Sequence, residues 1–509
     1  MKHLNKSFPS QDLTRKLDFV TLGQPIEGTE YYARLGNAIS MSDDGTRLAV
    51  ASRSKDANYY EGLIQLYDYD ATNDEWNRIG ASTTLDGSVE SIDVDLELSG
   101  DGSTFIVGTV LNENGPNSYS CEANVYKLVD GQFLPLGSKF KGEESIGDDN
   151  DVSVSINYDG TRIAVAFSLN NGGKSDNGVT RVYDYIDLQW VQVGNSIQGE
   201  NAFDVSGYRV ALSSDGTTIA ISSPYHSTVN GGTAGSVRIF RLVSNVWTLL
   251  GDEIIGENEG DASGSNLAIS SNGNRIAISS ETFDSTDDGV EKIDVGHVRI
   301  FDYDPCSNQW NQMGEDIVGE MGKVSLENGG YHVGDNFGKG LALSNDGFTV
   351  AIGAPYNPGD GNYYTGSVRL FGYDVTGNDW SQIGANLLGE GNQDLAGWSI
   401  AMNGNANIIA IGSPGSDENA KSSGRVVVKG TSPSSLTPVA PSPAPADGCS
   451  PLLNTIGSKT PNTDNKRRII PNGVLASSLI ATLVLAIGIV CYLKRSRISL
   501  LLRRRWRPT

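Results

Sequence analysis

Seven times along its 509 residues the chain makes a tight Asp-Gly or Asn-Gly turn, most clearly where a β-branched run follows. The clearest copy reads Asp215-Gly216-Thr217-Thr218-Ile219-Ala220-Ile221-Ser222. The others turn at Asp44-Gly45, Asp101-Gly102, Asp159-Gly160, Asn272-Gly273, Asp346-Gly347 and Asn403-Gly404, so that successive turns lie 57, 58, 56, 57, 74 and 57 residues apart. A second marker keeps the same beat, an aromatic residue followed shortly by Gly, as in Trp190-Val191-Gln192-Val193-Gly194. Its aromatics are Phe19, Trp76, Phe133, Trp190, Trp247, Trp310 and Trp380. Self-similarity at so long a period marks a stack of supersecondary units, none of which can bury its own apolar face alone.

Each unit reads as four short strands. In the sixth copy strand A is Gly340–Ser344, Asn345-Asp346-Gly347 turns the hairpin, and strand B is Thr349–Gly353. A Gly- and Asn-rich loop through Tyr364 leads to strand C, Ser367–Phe371, and strand D is Trp380–Gly384. Alternating apolar residues bounded by turn formers support each strand, and the 61 Gly supply positive φ at the turns. Four antiparallel strands repeated seven times predict an all-β, seven-bladed β-propeller. The chain opens on an orphan strand D, Asp18–Gly23, and its repeats end on an orphan strand C, Gly424–Val428. Pairing the two closes the ring, whereas a linear stack leaves both ends as bare edges.

The 74-residue interval holds 17 residues more than its neighbour. Six fall around the B–C loop Glu281–Val295 and eleven in the D–A region Met321–Asn336. In an up-and-down blade these two kinds of loop leave the same face, and insertions gathered on one face mark a binding side.

Charge and hydropathy add appendages to the propeller. The last 44 residues carry ten Lys or Arg and no acid, so the acidic excess behind the net charge of -23 lies entirely upstream. Such a surface repels phosphates and argues against nucleic-acid binding. Val474–Leu493 is twenty residues without a charge, long enough to cross a bilayer as a helix. The resulting division is an N-terminal segment 1–16, propeller 17–430, Pro/Ser/Thr-rich stalk 431–468, transmembrane helix 469–493 and basic tail 494–509. Seven basic residues after the span place the tail in the cytosol and the propeller outside. The first residues lack the apolar core of a signal peptide, which keeps open a tail-anchored arrangement with the propeller in the cytosol.

Phe337-Gly338, followed by Gly353-Ala354-Pro355 and a closing Gly366-Ser367-Val368-Arg369-Leu370-Phe371, resembles the FG-GAP repeat of integrin-α-type propellers. Fainter echoes are Leu35-Gly36, Ser222-Ser223-Pro224, Gly235-Ser236-Val237-Arg238-Ile239-Phe240 and Gly412-Ser413-Pro414. The resemblance implies a seven-bladed propeller serving as an extracellular recognition or adhesion platform. Calcium-binding copies of that family carry several acids in the first hairpin. Here the hairpin is reduced to Ser-x-Asp-Gly, as in Ser42-Asp43-Asp44-Gly45. One carboxylate per loop cannot supply the six to eight oxygens that Ca²⁺ takes, so no metal or other cofactor site is assigned.

The four His (His3, His226, His297, His332) show no metal-ligand spacing, and only His332 falls in an insertion. Acid clusters at Asp148-Asp149-Asn150-Asp151, Asp284…Asp287-Asp288 and Glu257…Glu259…Asp261 read as solvated turns. The periodic Trp residues read as blade packing before glycan stacking. With no nucleophile elbow or triad in view, no catalytic residue is assigned and the chain reads as non-enzymatic. It is expected to be a single-span surface protein binding a protein or polysaccharide. A carbohydrate-active propeller enzyme or lectin and a tail-anchored cytosolic scaffold are the alternatives.

Overall fold

The computed structural model describes residues 18–431 apart from 57–58, 86–93, 113–118, 143–151, 169–176, 288–289, 321–333 and 360–363. The expected transmembrane helix and basic tail, and the stalk beyond Thr431, lie outside the described residues, among which no helix is long and apolar enough to cross a membrane.

Seven antiparallel sheets of four or five strands follow one another, as the repeat requires. Blade 4 runs Val210–Leu212 (strand A), Thr218–Ser223 (B), Ser236–Val243 (C) and Val246–Leu249 (D). The innermost strands of the ring are Ile39–Met41, Val94–Leu98, Val152–Ile156, Val210–Leu212, Asn266–Ile269, Leu341–Leu343 and Ser399–Met402, in blades 1 to 7. Blade 7 is completed from the other end of the chain. Phe19–Thr21 pairs antiparallel with Arg425–Thr431 (Phe19 opposite Thr431), and Ile26–Glu27 extends the same pairing at Val426. The expected closure by an N-terminal strand D is therefore present.

Packing between blades follows from the Ile-Ala-Ile pattern of strand B. Side chains alternate across a strand, so Ile219 and Ile221 face blade 3, among Ala164, Ala166 and Val182. Ala220 faces blade 5, against Leu267, Ile276 and Ile278. Large meets small at these two junctions, which suits sheets crowded around an axis. Each fully buried Ile contributes about 1.5–3 kcal/mol.

Strand D differs from the continuous strand expected. In blade 6 it breaks into Asp379–Gln382 and Leu387–Leu388, both paired with Ser367–Asp374. In blade 3 it runs unbroken over Gln189–Gln198 but shifts register opposite Thr180 and Val182. The cause is the glycine of the aromatic–Gly marker, which takes positive φ (Gly194, φ 69) and bulges the strand. The bulge seats the next blade's tryptophan. Trp247 Nε1 donates to Val193 O at 3.0 Å, and a Cβ on Gly194 would stand 2.8 Å from the Trp247 ring. The same bond joins Trp76 to Leu22, Trp190 to Leu136, Trp310 to Leu250 and Trp380 to Met313. The periodic tryptophans are thus inter-blade locks.

Candidate functional site

The innermost strands surround a cavity of about 380 Å³ on the ring axis. One end is drawn together by a ring of backbone bonds. Asp43 N–H donates to Gly100 O, Asp101 to Tyr158, Tyr158 to Ser214, Ser214 to Ser271, Ser271 to Asn345, Asn345 to Gly404 and Gly404 back to Asp43, all at 2.9–3.0 Å. These residues belong to the A–B turns, so the repeated turn closes the ring as well as the hairpin. Asn345 Nδ2 reaches Asp43 Oδ2 at 2.8 Å and ties blade 6 to blade 1.

The turn aspartates themselves are saturated locally. Asp215 Oδ1 accepts bonds from Ser213 Oγ at 2.7 Å and from the Thr217 N–H and hydroxyl at 2.8 Å each. Burial pushes its pKa up, but these donors outweigh burial and hold the carboxyl below the usual range.

Polar side chains enter the cavity from four of the seven innermost strands and from the residues that lead into them. In blades 1 and 3 a serine on strand A accepts the N–H of the next blade's strand, as Ser40 Oγ does from Leu98 at 2.9 Å and Ser155 Oγ from Leu212 at 2.9 Å. Blade 2 replaces this serine with Glu97 and carries a second carboxyl, Asp95, two residues before it. Asp95 Oδ2 accepts from Ser153 Oγ at 2.8 Å and Val154 N–H at 2.9 Å, and Glu97 Oε2 accepts from Ile156 N–H at 3.0 Å. Glu97 keeps only cavity access to solvent. Burial, with the nearby Asp95 and Asp43 charges, pushes its pKa up to about 8 against the opposing bonds from Ser155 and Ile156. At neutral pH it is mainly a protonated acid.

Residues nearer the open end add other chemistry. Arg209 lies over the Tyr208 ring at 4.8 Å and donates to Tyr208 O. Asn266 Nδ2 donates to Lys339 O at 2.8 Å, and Lys339 Nζ stands 3.5 Å from Glu281 Oε2 and 5.2 Å from the Trp398 ring centroid. Half-buried Trp398 lines the cavity and meets Tyr356 edge-on at 6.4 Å, with Tyr364 beyond it. Tryptophan 398 lies off the strand-D beat of the lock tryptophans, which is the signal by which the sequence could have singled it out. The signal for Glu97 was likewise present: the equivalent residues are Ser40, Ser155, Ala211, Ala268, Ala342 and Ala401.

His332 and the cluster Asp148–Asp151 lie outside the described residues. His226 and His297 are buried at blade junctions, His226 Nδ1 against Asp204 at 2.9 Å and His297 Nδ1 against Asp316 at 3.0 Å. Of the insertions, 281–295 forms a hairpin, Ser285–Asp287 with Val290–Lys292. Residues 321–333 lie outside the described set, but the end of the second insertion meets the first: Asn336 N–H donates to Asp294 O and Phe337 N–H to Val295 O, both at 3.3 Å. Phe337 and Gly338 of the FG-GAP-like segment are packing residues, with Phe337 fully buried under Arg369 at 4.2 Å.

No protein-family model matches the chain, and no curated protein matches it. Among solved structures it is similar to a Bacteroides uniformis protein described as a 6-phosphogluconolactonase, with 12% identity, TM-score 0.44, and 70% of this chain covering 86% of that one. It is similar to a periplasmic gluconolactonase of Pseudomonas aeruginosa at 14% identity and TM-score 0.42, over 70% and 86% of the two chains. A third likeness is to Sqt1 of Chaetomium thermophilum, bound to the N-terminus of a ribosomal protein, at 15% identity and TM-score 0.40, over 80% and 98%. Two of these three carry enzymatic descriptions, and the expectation that such a chain is not an enzyme is withdrawn. That expectation rested on missing local motifs. A propeller instead assembles polar groups on its axis from strands far apart in sequence, as Asp95, Glu97, Arg209, Asn266 and Lys339 do here. The chain is a seven-bladed, four-stranded β-propeller.

Proposed function

We propose that this propeller is carbohydrate-directed and takes a small polyhydroxylated ligand into its axial cavity. The observation that carries the reading is Glu97, a carboxyl held near neutrality in a cavity that Trp398 also lines. The cavity volume falls within the range of small-molecule sites. An indole face suits the C–H face of a sugar ring, while Asp95, Asn266 and the Glu97 acid offer acceptors and donors to hydroxyls. A carboxyl with a pKa of about 8 is matched to giving up a proton at physiological pH, so Glu97 is the residue on which hydrolysis would depend. Calorimetry against neutral sugars, sugar acids and sugar lactones, with mass spectrometry of the mixtures, tests this. Binding of at least one class is expected, weakened about tenfold in Trp398→Ala, which is 1.4 kcal/mol; any turnover is expected to disappear in Glu97→Gln. If no class binds or turns over, or if both variants behave as the wild type, the reading fails.

A second reading is supported by the meeting of the two insertions. Their shared face suits recognition of a protein or polysaccharide, in keeping with the FG-GAP-like segments, by a propeller held outside the cell on a single membrane span. Protease added to intact cells is expected to digest the propeller from outside. Digestion that requires opening the plasma membrane would contradict this placement and favour the cytosolic, tail-anchored arrangement.

A further inference from the structure

The C–D hairpins of blades 2, 3 and 4 close on two-residue turns, Asp130-Gly131, Asp187-Leu188 and Ser244-Asn245. The second turn residue takes positive φ, which suits Gly131 (φ 77) and Asn245 (φ 63). Blade 3 puts Leu188 there instead, at φ 67 and 80% exposed. A bulky side chain is disfavoured in that conformation, and an apolar one gains nothing from water. Neither folding nor solubility accounts for Leu188. A second exception stands in the same blade. Among the turns that seal the axis, the position held elsewhere by Asp43, Gly100, Ser214, Ser271, Asn345 and Gly404 is Tyr158. Its ring rests on Gly100, where a Cβ would stand 2.4 Å from it, so the aromatic is held in place while staying 48% exposed. Tyr158 and Ile186, the residue before the Asp187-Leu188 turn, line one pocket of about 410 Å³.

We propose that this side of blade 3 docks an extended segment of a partner protein in which an Arg or Lys is flanked by apolar residues. The apolar flanks meet Leu188, Ile186 and Tyr158, and the cation enters the pocket. The pocket is acidic: Asp159, Asp184 and Asp215 line it, and Arg162 is the one cation among its lining residues. Arg162 is already engaged, with two bonds to Asp184 and one from Nη1 to Gly216 O at 2.9 Å. Its charge cancels one acid of the three. Burial raises the pKa of Asp159, but bonds from Thr161 and Asn157 outweigh burial and hold the carboxyl below the usual range, so it is ionised at neutral pH. Those bonds all fall on Oδ1, which leaves Oδ2 for a cation. The chain itself carries a net charge of -23, so charge disfavours a second copy as the occupant and favours a basic one. The surface lies on the side of the A–B and C–D turns, away from the two insertions. Leu188 and Ile186 line no part of the axial cavity, so docking here is independent of the proposed carbohydrate site.

The test is binding of dye-labelled short peptides to the full chain, followed by fluorescence polarisation. One set carries a central Arg between Leu, Val, Phe or Tyr residues, and a matched set carries Glu in place of the Arg. Members of the first set are expected to bind and their counterparts not to, with affinity falling as salt is raised. Leu188→Asn installs the residue that blade 4 uses at this turn, and Asn tolerates the positive φ. That variant is expected to melt at or above the wild-type temperature while its peptide affinity falls about tenfold or more. Tyr158→Ser, which installs the residue of blades 4 and 5, is expected to weaken binding likewise. No binding by the Arg set, equal binding by both sets, or unchanged affinity in Leu188→Asn overturns the proposal. So does sedimentation that finds a dimer dissolved by Leu188→Asn, because the occupant is then a second copy.

Discussion

At the scale of single residues, the repeat is held by side chains that do the same task in several blades. The indole of Trp247 supplies both a hydrogen bond to Val193 O and a lid over Gly194. Phe133 and Phe19 take the same position in blades 2 and 7, so the position admits a ring without the N–H. Trp247→Phe is accordingly expected to cost about 1 kcal/mol, the net worth of one hydrogen bond. Gly194→Ala is expected to cost more, about 2–3 kcal/mol, because the residue has φ 69 and its Cβ would stand 2.8 Å from the indole. Urea unfolding of both variants checks the order, and a Gly194→Ala protein as stable as the wild type would contradict the lock. His226 gives a signature in pH. Its bond to Asp204 raises its pKa against the opposing effect of burial. A raised histidine pKa stabilises the fold fully below the unfolded value of about 6.5 and ceases to do so as pH rises through the folded value. The stability gap between wild type and His226→Gln should therefore be wider at pH 6 than at pH 8.5, read by thermal unfolding.

At the scale of elements, strand order and closure were legible because turns and alternation are local signals. The break in strand D was not, since a bulge at Gly251 or Gly314 answers to a tryptophan some sixty residues away. Glu257…Asp261 looked like a solvated turn for a related reason. Its spacing matches Glu200…Asp204 and Glu390…Asp394, but burial of the second acid depends on the neighbouring blade. The orphan strand at the N-terminus was legible, and its removal has a definite consequence. Deleting residues 1–28 leaves Arg425–Thr431 with an unpaired edge. Lower thermal stability and concentration-dependent association are expected by light scattering. A truncated chain that stays monomeric and melts with the full one would mean that the ring closes without this strand.

At the scale of the whole molecule, the seven turns that announce the fold also seal one end of the axis through a ring of backbone bonds. The other end stays open among Arg209, Asn266, Lys339 and Trp398. The axial site was hidden from the sequence because its members come singly from separate strands, each looking like an ordinary departure from a serine or alanine. Glu97 is the group on which the functional account turns. A carboxyl with a raised pKa favours the folded state below its unfolded value and loses that contribution as pH climbs through the folded value, here from about 4.5 to about 8. Glu97→Gln should therefore flatten the loss of stability over that window relative to the wild type. The most direct measurement is the ionisation of the Glu97 carboxyl itself, followed by carbon NMR across pH and assigned through Glu97→Gln. A midpoint of about 8 is expected. A midpoint at the ordinary glutamate value of 4.5 would show the cavity to hold an ordinary solvated carboxylate and would contradict the account.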